Sequence, residues 1–535
     1  MLEYFFAALL AALALGNIMV RATRGKREQL ILNLALLVAL LLTVYLLGGN
    51  PQTYFGLISF NQFSVFFLLL FTASMILLNL LAFARAADYG DFALLGAFAL
   101  IGMYLVAASL SLIAIFLGLE LMSIPSAFVV LLSRRQSLEA ATKLFIMASV
   151  AIAFLSFAIV LVYGATNSLS LRPQQSSGLL LFALALFVAS LGFEASVFPF
   201  NVLLPDVYQG SAGYATAMLG GLNKKVGIAA LMQVLIIIYI SSHLAFDTVA
   251  VLAALTMFYG NMVALVQNNL KRLLAYSSIS QSGYILIGIA VATQNGLGGS
   301  IFQVFAHAFL FIGSMSIIAW LESRDRNEIN DAIGLYKENR FAAISLTIFM
   351  LSLVGLPFTT GFVGKFLIFL SAVNAGLVWL ALLGIINSII SIFYYAKVMT
   401  AMYTAKLGSY RIKMDFSTTA VVAVCLAATL IFGVYPQPMV QTTSGAAGYL
   451  LGAGGKLALP GTNSSNTSTA TGAATIPNTT VASTTSVATI SSTSTMPSSS
   501  TSTTTMVSTL STAAPSTTTL NVTTTALVGI GIRAG

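Results

Sequence analysis

The sequence holds a single cysteine, Cys425, among 535 residues. One thiol excludes a disulfide framework, and it excludes an iron–sulfur cluster or cysteine-bound zinc ligated within the chain. Charge is scarce too: Asp, Glu, Lys and Arg make up 7% of residues, against about 25% in an ordinary soluble domain. No G-x-G-x-x-G follows a strand, and there is no Walker A motif. The chain therefore has no visible means of redox or nucleotide chemistry by itself.

What is abundant is apolar length. Hydrophobic residues make up 58% of the chain, and apolar runs of bilayer-spanning length recur as far as residue 440. A transmembrane barrel would instead alternate in segments of about ten residues. The fold class is an all-α polytopic membrane protein. Fourteen spans are expected, near 2–20, 29–48, 62–83, 92–108, 110–131, 140–164, 178–201, 214–240, 247–267, 275–293, 298–320, 341–371, 376–402 and 418–437. The first is no signal peptide, because its basic residues follow the apolar run rather than precede it.

The net charge of +9 suggests nucleic acid only until the charges are mapped. Sixteen Lys and Arg residues fall in loops on one side, among them Arg21, Arg85, Arg134, Lys271, Arg272, Arg324 and Lys413. Only Arg172, Lys456 and Arg533 fall on the other. That asymmetry orients the chain with its basic loops inside and both termini outside, with no nucleic-acid partner needed. Residues 1–440 form the membrane domain. Residues 441–535 are rich in Ser and Thr and carry N-x-[ST] sequons at Asn463, Asn466, Asn478 and Asn521. Such a tract is expected to be a disordered extracytoplasmic tail. Its sequons arise by chance or mark a glycosylated stalk, and they hint at an archaeon.

Eight charges are left inside the apolar runs: Glu120, Glu139, Lys143, Glu194, Lys224, Lys225, Lys365 and Lys397. Each costs roughly 2.5–3.5 kcal/mol at the bilayer centre, so each must pair, face the bundle interior or line water. Glu139 and Lys143 have i, i+4 spacing and read as a local ion pair. Lys397 reads as a snorkelling lysine. Lys224 and Lys225 point about 100° apart, so one reads as interior and the other as snorkelling or packing. Glu120, Glu194 and Lys365 are the strongest candidates for proton exchange. His307 reads equally as a relay or as a packing residue, and His243 reads as surface.

Helix breakers sit beside two of these groups. Pro199 and Pro205 follow Glu194, and Pro357 and Gly361 precede Lys365. Non-helical backbone at membrane depth is tolerated where it is buried in protein or lines a water-filled cavity. Breaks in spans seven and twelve suit two inverted five-helix repeats, about 92–240 and 247–402.

The stretches LGLELMSIPSAFVVL (117–131), SLEAATKLF (137–145), VFPFNVLLPDVYQG (197–210), NNLKRLLAYSSISQSGYILIGIA (268–290) and LSLVGLPFTTGFVGKF (351–366) carry a family likeness. The chain resembles the antiporter-like subunits of respiratory complex I, the N type most closely, from about 60 to 405. HAFLFIGSM at 307–315 looks more like the M and L types. The resemblance implies a proton-translocating membrane subunit of a quinone oxidoreductase. It places no cofactor in this chain: quinone, flavin and iron–sulfur clusters would belong to partner subunits, in the plasma membrane. It assigns proton exchange to Glu120, Lys224 and Lys365. Two positions depart from the family: Glu194 stands where a lysine is usual, and Asn201 where a histidine is usual. Glu194 then titrates in a relay, or pairs statically with Lys224 or Lys225, or marks a dead channel. The expected route runs from the inner side by Lys224, through waters and His307, to Lys365 and outward. A cation/proton antiporter subunit and a non-conducting scaffold are the rival readings. The electron donor is open among NADH, a reduced deazaflavin, ferredoxin or an unknown partner.

Overall fold

A computed structural model describes residues 2–454 apart from 24, 48–51, 55–56, 135–136, 173–176, 240–241 and 406–410. These lie in one compact unit, Met1–Thr462. The Ser/Thr-rich tract from 455 onward, with its sequons, lies outside the described residues.

The described residues are helical almost throughout. The first half holds α1 (Leu2–Thr23), α2 (Lys26–Leu47), α3 (Gln62–Arg85), α4 (Tyr89–Ala107), α5 (Leu112–Ser133), α6 (Leu138–Thr166), α7 (Gly178–Ala195), α8 (Leu204–Gly210), α9 (Gly213–Met218) and α10 (Lys224–Gln233). The second holds α11 (His243–Leu265), α12 (Leu270–Val291), α13 (Gln294–Glu322), α14 (Leu335–Glu338), α15 (Arg340–Val354), α16 (Thr360–Asn374), α17 (Val378–Tyr403), α18 (Phe416–Val434) and α19 (Gln437–Gly454). A small hairpin pairs Gln52–Tyr54 with Ile58–Phe60. Local signals set the ends. Asn61 caps α3 by accepting from the amides of Phe63 and Ser64, and Ser64 Oγ accepts from the Asn61 amide in return.

Among the described residues, twelve helices are long and apolar enough to cross a membrane, with shorter apolar helices at Ala7–Met19, Arg340–Val354 and Thr360–Asn374. Burial separates axis from rim. The apolar stretches of Gly213–Ile238 and Leu270–Val291 are buried throughout and that of Gln294–Glu322 over 94%, while Val378–Tyr403 is 39% buried. Helices apolar on every face belong inside or against lipid, and these three form the axis. Small residues let helices close up: a Cβ on Gly102 of α4 would lie 2.5 Å from the Gly118 carbonyl of α5.

Both expected breaks are present. α7 stops at Ala195, Ser196 takes a left-handed φ of 61°, and α8 starts with Pro205 in its first turn. α15 stops at Val354, Gly355 has φ of 104°, and α16 resumes at Thr360. A third irregularity was not foreseen. Two π-helical segments, Leu219–Asn223 and Val234–Ile238, flank α10. The tail boundary is corrected as well: α19 carries regular helix on to Gly454. Its Ala446, Ala447 and Leu450 are buried, a helical spacing that gives this small-residue segment a packing face.

Candidate functional site

The break after α7 opens beside the start of α10. There a cavity of about 50 Å³ is lined by Glu194, Lys224, Ser123, Asn201, Asn223 and Lys143, among others. One water needs roughly 10–15 Å³ measured this way, so the space suits a few waters. The polar groups are there to bind them. Among the described residues, both amide atoms of buried Asn201 and the Oδ1 of Asn223 have no hydrogen-bond partner.

Glu194 Oε1 accepts from Ser123 Oγ at 3.1 Å. Ser123 lies one turn beyond Glu120 on α5, so the two carboxylates approach one another through that helix face. Glu120 is half-buried. Lys224 is 4% exposed, and its Nζ sits 5.8 Å from the centre of the Tyr208 ring. Among the described residues, no ion pair within 4 Å joins Glu194 to Lys224 or Lys225.

Lys225 turns the other way, as adjacent helical residues must, yet it does not snorkel. It is 1% exposed. Its Nζ lies 2.9 Å from the Gly220 carbonyl and 2.5 Å from His307 Nδ1. Both lysines are therefore interior, about 100° apart around α10, and His307 meets Lys225 rather than Lys224.

From His307 polar groups continue along the axis. Gln303 lies one turn earlier on α13. Its amide donates to Gln281 Oε1 at 3.0 Å, and the Gln281 amide donates to the Leu353 carbonyl at 3.0 Å. That carbonyl lies at the broken end of α15. Lys365 donates to it at 2.8 Å, to the Val354 carbonyl at 3.0 Å and to Ser388 Oγ at 3.1 Å. The Tyr284 ring centre is 4.3 Å from the same ammonium. The carbonyls that α15 leaves free at its break are the acceptors that hold the lysine.

The end of the bundle rich in arginine and lysine is stitched by ion pairs. Lys271 Nζ lies 2.6 Å from Glu322 Oε1 and 2.6 Å from the Ser211 carbonyl. Glu322 also accepts from the Gly213 amide at 2.6 Å and lies 3.1 Å from Arg134. Reading Lys271 as a loop charge is thus corrected: it is buried and paired. Arg272 reaches Asp206 at 2.6 Å. Burial opposes the Asp206 charge, but Arg272 and Lys143 outweigh it and hold the carboxyl below its ordinary value. The expected Glu139–Lys143 pair is present at 2.6 Å, and Lys397 donates to Asn268 Oδ1 at 2.7 Å.

Sequence reasoning passed over Lys225 as a partner of His307, and over Gln281, Gln303, Glu322 and Asp206. The glutamines carry no charge and so gave no signal. Glu322, an acid closing a long apolar helix, could have been flagged. Among the described residues, no group of three or more His, Cys, Asp or Glu side chains is placed to hold a metal.

The family model described as "NADH:quinone oxidoreductase/Mrp antiporter, TM" matches residues 109–391. The chain is 35% identical over 379 residues to NADH-quinone oxidoreductase subunit N 1 of Chloroherpeton thalassium, covering 68% of this chain and 80% of the relative. It is 34% identical over 415 residues to F(420)H(2) dehydrogenase subunit N of Methanosarcina mazei, covering 73% and 84%. Among solved structures, a chain of respiratory complex I from Thermus thermophilus superposes with a TM-score of 0.73 at 28% identity, covering 82% of this chain and 99% of that one. A chain of the Mrp complex from Dietzia sp. DQ12-45-1b shares the fold, with a TM-score of 0.77 at 20% identity, covering 84% and 98%.

Proposed function

We propose a function on one premise: the chain belongs to the NADH:quinone oxidoreductase/Mrp antiporter transmembrane family. Within it the chain works as a proton-translocating membrane subunit of a complex I-like quinone oxidoreductase. The observation that carries this reading is the run of polar groups along the buried axis, from Glu194 at one helix break to Lys365 at the other. A bundle of this composition has no packing reason to place them there, since each buried charge costs free energy.

The basic end faces the inside of the plasma membrane, and both termini lie outside. Of fourteen crossings, ten form two inverted five-helix repeats, about 92–240 and 247–402, with spans seven and twelve broken. Protons enter from the basic end into the cavity between Glu194 and Lys224. Glu120 and Glu194 set the charge balance there, and Glu194 takes and releases protons in the place of the family's usual lysine. The step across the axis runs through Lys225 and His307, then by Gln303 and Gln281 to Lys365, which passes protons outward. Gly220 and Leu353 supply carbonyls that hold the lysines in place.

Moving one charge against 100 mV takes about 2.3 kcal/mol. This chain has no redox centre of its own, so the energy comes from partner subunits that oxidise a donor and reduce quinone. The relatives are named for two donors, NADH and F420H2. The donor is a property of those partners and not of this chain.

The test is redox-driven proton uptake in inverted vesicles that contain the assembled complex. Glu194→Gln is expected to stop uptake through this subunit, and Glu194→Lys to restore it. Unchanged uptake in both variants, with the complex assembled, would overturn the relay and leave a scaffold.

A further inference from the structure

Two cavities meet at one side chain. The first is the buried site cavity of Glu194, Lys224 and Asn201. The second, about 370 Å³, opens at the basic end and is lined by Glu139, Ala140, Lys143, Asp206, Gln209 and Gly210. Lys143 lines both. Its ammonium is shared: Glu139 Oε1, on its own helix, is 2.6 Å away, and Asp206 Oδ2, on α8 across the mouth, is 3.4 Å away. The Asp206 side of the mouth is fixed. Arg272 of α12 holds Asp206 at 2.6 Å and is itself held by Gln209 at 3.0 Å and Gln267 at 3.3 Å. Glu139 is 78% exposed at its side chain, and Lys143 is 34% exposed. The movable side of the mouth is therefore Lys143 with its exposed partner Glu139.

We propose that Lys143 is the gate between the inner aqueous surface and the proton-exchange cavity. Bound to Asp206 it straps α6 to α8 and closes the mouth. Folded back onto Glu139 it leaves the mouth open. The two carboxylates compete for one ammonium, so the gate is a two-position switch with no backbone movement. This rests on the proton-translocation reading for its purpose, but not for its test.

The test measures access to the cavity without turnover. Ala148 lines the site cavity, about 7.5 Å further along α6 than Lys143. Ala148→Cys, in a Cys425→Ala background, places one thiol there. The solubilised complex is treated with iodoacetamide, a small neutral reagent, so both membrane faces are reachable and local charge does not steer it. Asp206→Asn frees the lysine for Glu139 and is expected to speed labelling about two- to fivefold, the bias a half-exposed ion pair gives. Glu139→Gln leaves the lysine to Asp206 and is expected to slow labelling by a similar factor. Each variant removes one negative charge, so an electrostatic effect on the thiol alone would move both rates the same way. Lys143→Ala, which deletes the strap, is expected to label fastest. Rates that shift together in the two carboxylate variants, or that ignore all three, overturn the gate. Neither result depends on whether Glu194 relays protons, which the vesicle experiment decides separately.

Discussion

The contact between Lys225 and His307 offers the sharpest perturbation. At 2.5 Å, two unit charges would repel by about 7 kcal/mol at an effective dielectric constant of about 20. The pair therefore carries at most one positive charge, and in the proposed relay it suits handing one proton on. Lys225→Gln keeps a donor for the Gly220 carbonyl but removes the exchangeable proton. Leaving a buried carbonyl and a ring nitrogen bare, as in Lys225→Met, costs about 1–3 kcal/mol each. Against that stands the desolvation of a buried ammonium, several kcal/mol, which either substitution relieves. The complex carrying Lys225→Gln is thus expected to assemble and to melt within a degree or two of wild type. Its redox-driven proton uptake should fall about 100-fold through this subunit, the low end of what one acid–base group contributes. Single-turnover uptake in inverted vesicles, beside a thermal melt of the purified complex, reads both quantities. Wild-type uptake in an intact complex would refute the reasoning, because no route would then pass through this pair. A complex that fails to assemble with Gln but assembles with Met would refute the hydrogen-bond accounting.

Three further outcomes follow from the packing. Gly361→Ala would set its Cβ 1.8 Å from the Ser352 carbonyl, so it should cost 3 kcal/mol or about that and show as lost yield or a lower melting point of the complex. Lys271→Ala leaves the buried Ser211 carbonyl unpaired and leaves Glu322 to Arg134 and the Gly213 amide, a loss of about 1–3 kcal/mol by the same melt. Asp206 stabilises the fold fully above the ordinary carboxylate range, near pH 4, and this contribution fades as pH falls through its lowered native value. Asp206→Asn should flatten that acid limb of the melting curve.

The sequence disclosed the residues that break a rule. A carboxylate or ammonium in an apolar run is conspicuous, so Glu120, Glu194 and Lys365 stood out. Pro199, Pro205, Pro357 and Gly361 marked the two helix breaks for the same reason. What it hid were relationships on an axis buried on all sides. Where every face of α10 is interior, hydrophobic periodicity cannot say which of two adjacent lysines looks inward, and both do. The π-helical turn before Lys224 has no pattern in LGGLN that separates it from ordinary helix. Gln281 and Gln303 are neutral and cost little to bury once they bond each other, so nothing in composition flagged them. α19 was missed because Ser, Thr, Gly and Ala read as low complexity, although Ala446, Ala447 and Leu450 carry a packing face.

The buried lysines fall into two kinds, and the difference bears on which of them can move protons. Lys271 sits against the Glu322 carboxylate at 2.6 Å. If it lost its proton, the buried carboxylate would lose its nearest counter-charge and keep Arg134 at 3.1 Å and the Gly213 amide, so this pair favours a permanent charge and serves as a fastener. Lys225 and Lys365 are held instead by neutral groups: Gly220 and His307 for one, and the Leu353 and Val354 carbonyls with Ser388 for the other. Neutral acceptors stabilise an ammonium without demanding it, and deprotonation strands no opposite charge. Those acceptors exist because the backbone is irregular there, at a π-helical turn beside Lys225 and at a full break beside Lys365. An unbroken helix would have spent the same carbonyls on its own ladder. The irregular backbone and the lysine it holds are in this sense one device, and in the proposed relay Glu194 belongs to it. It lies at the other break, where a serine hydroxyl rather than a lysine is its partner at 3.1 Å. That arrangement sets no close counter-charge against the carboxylate, as a tight ion pair with Lys224 would, and this is what the proposed relay requires.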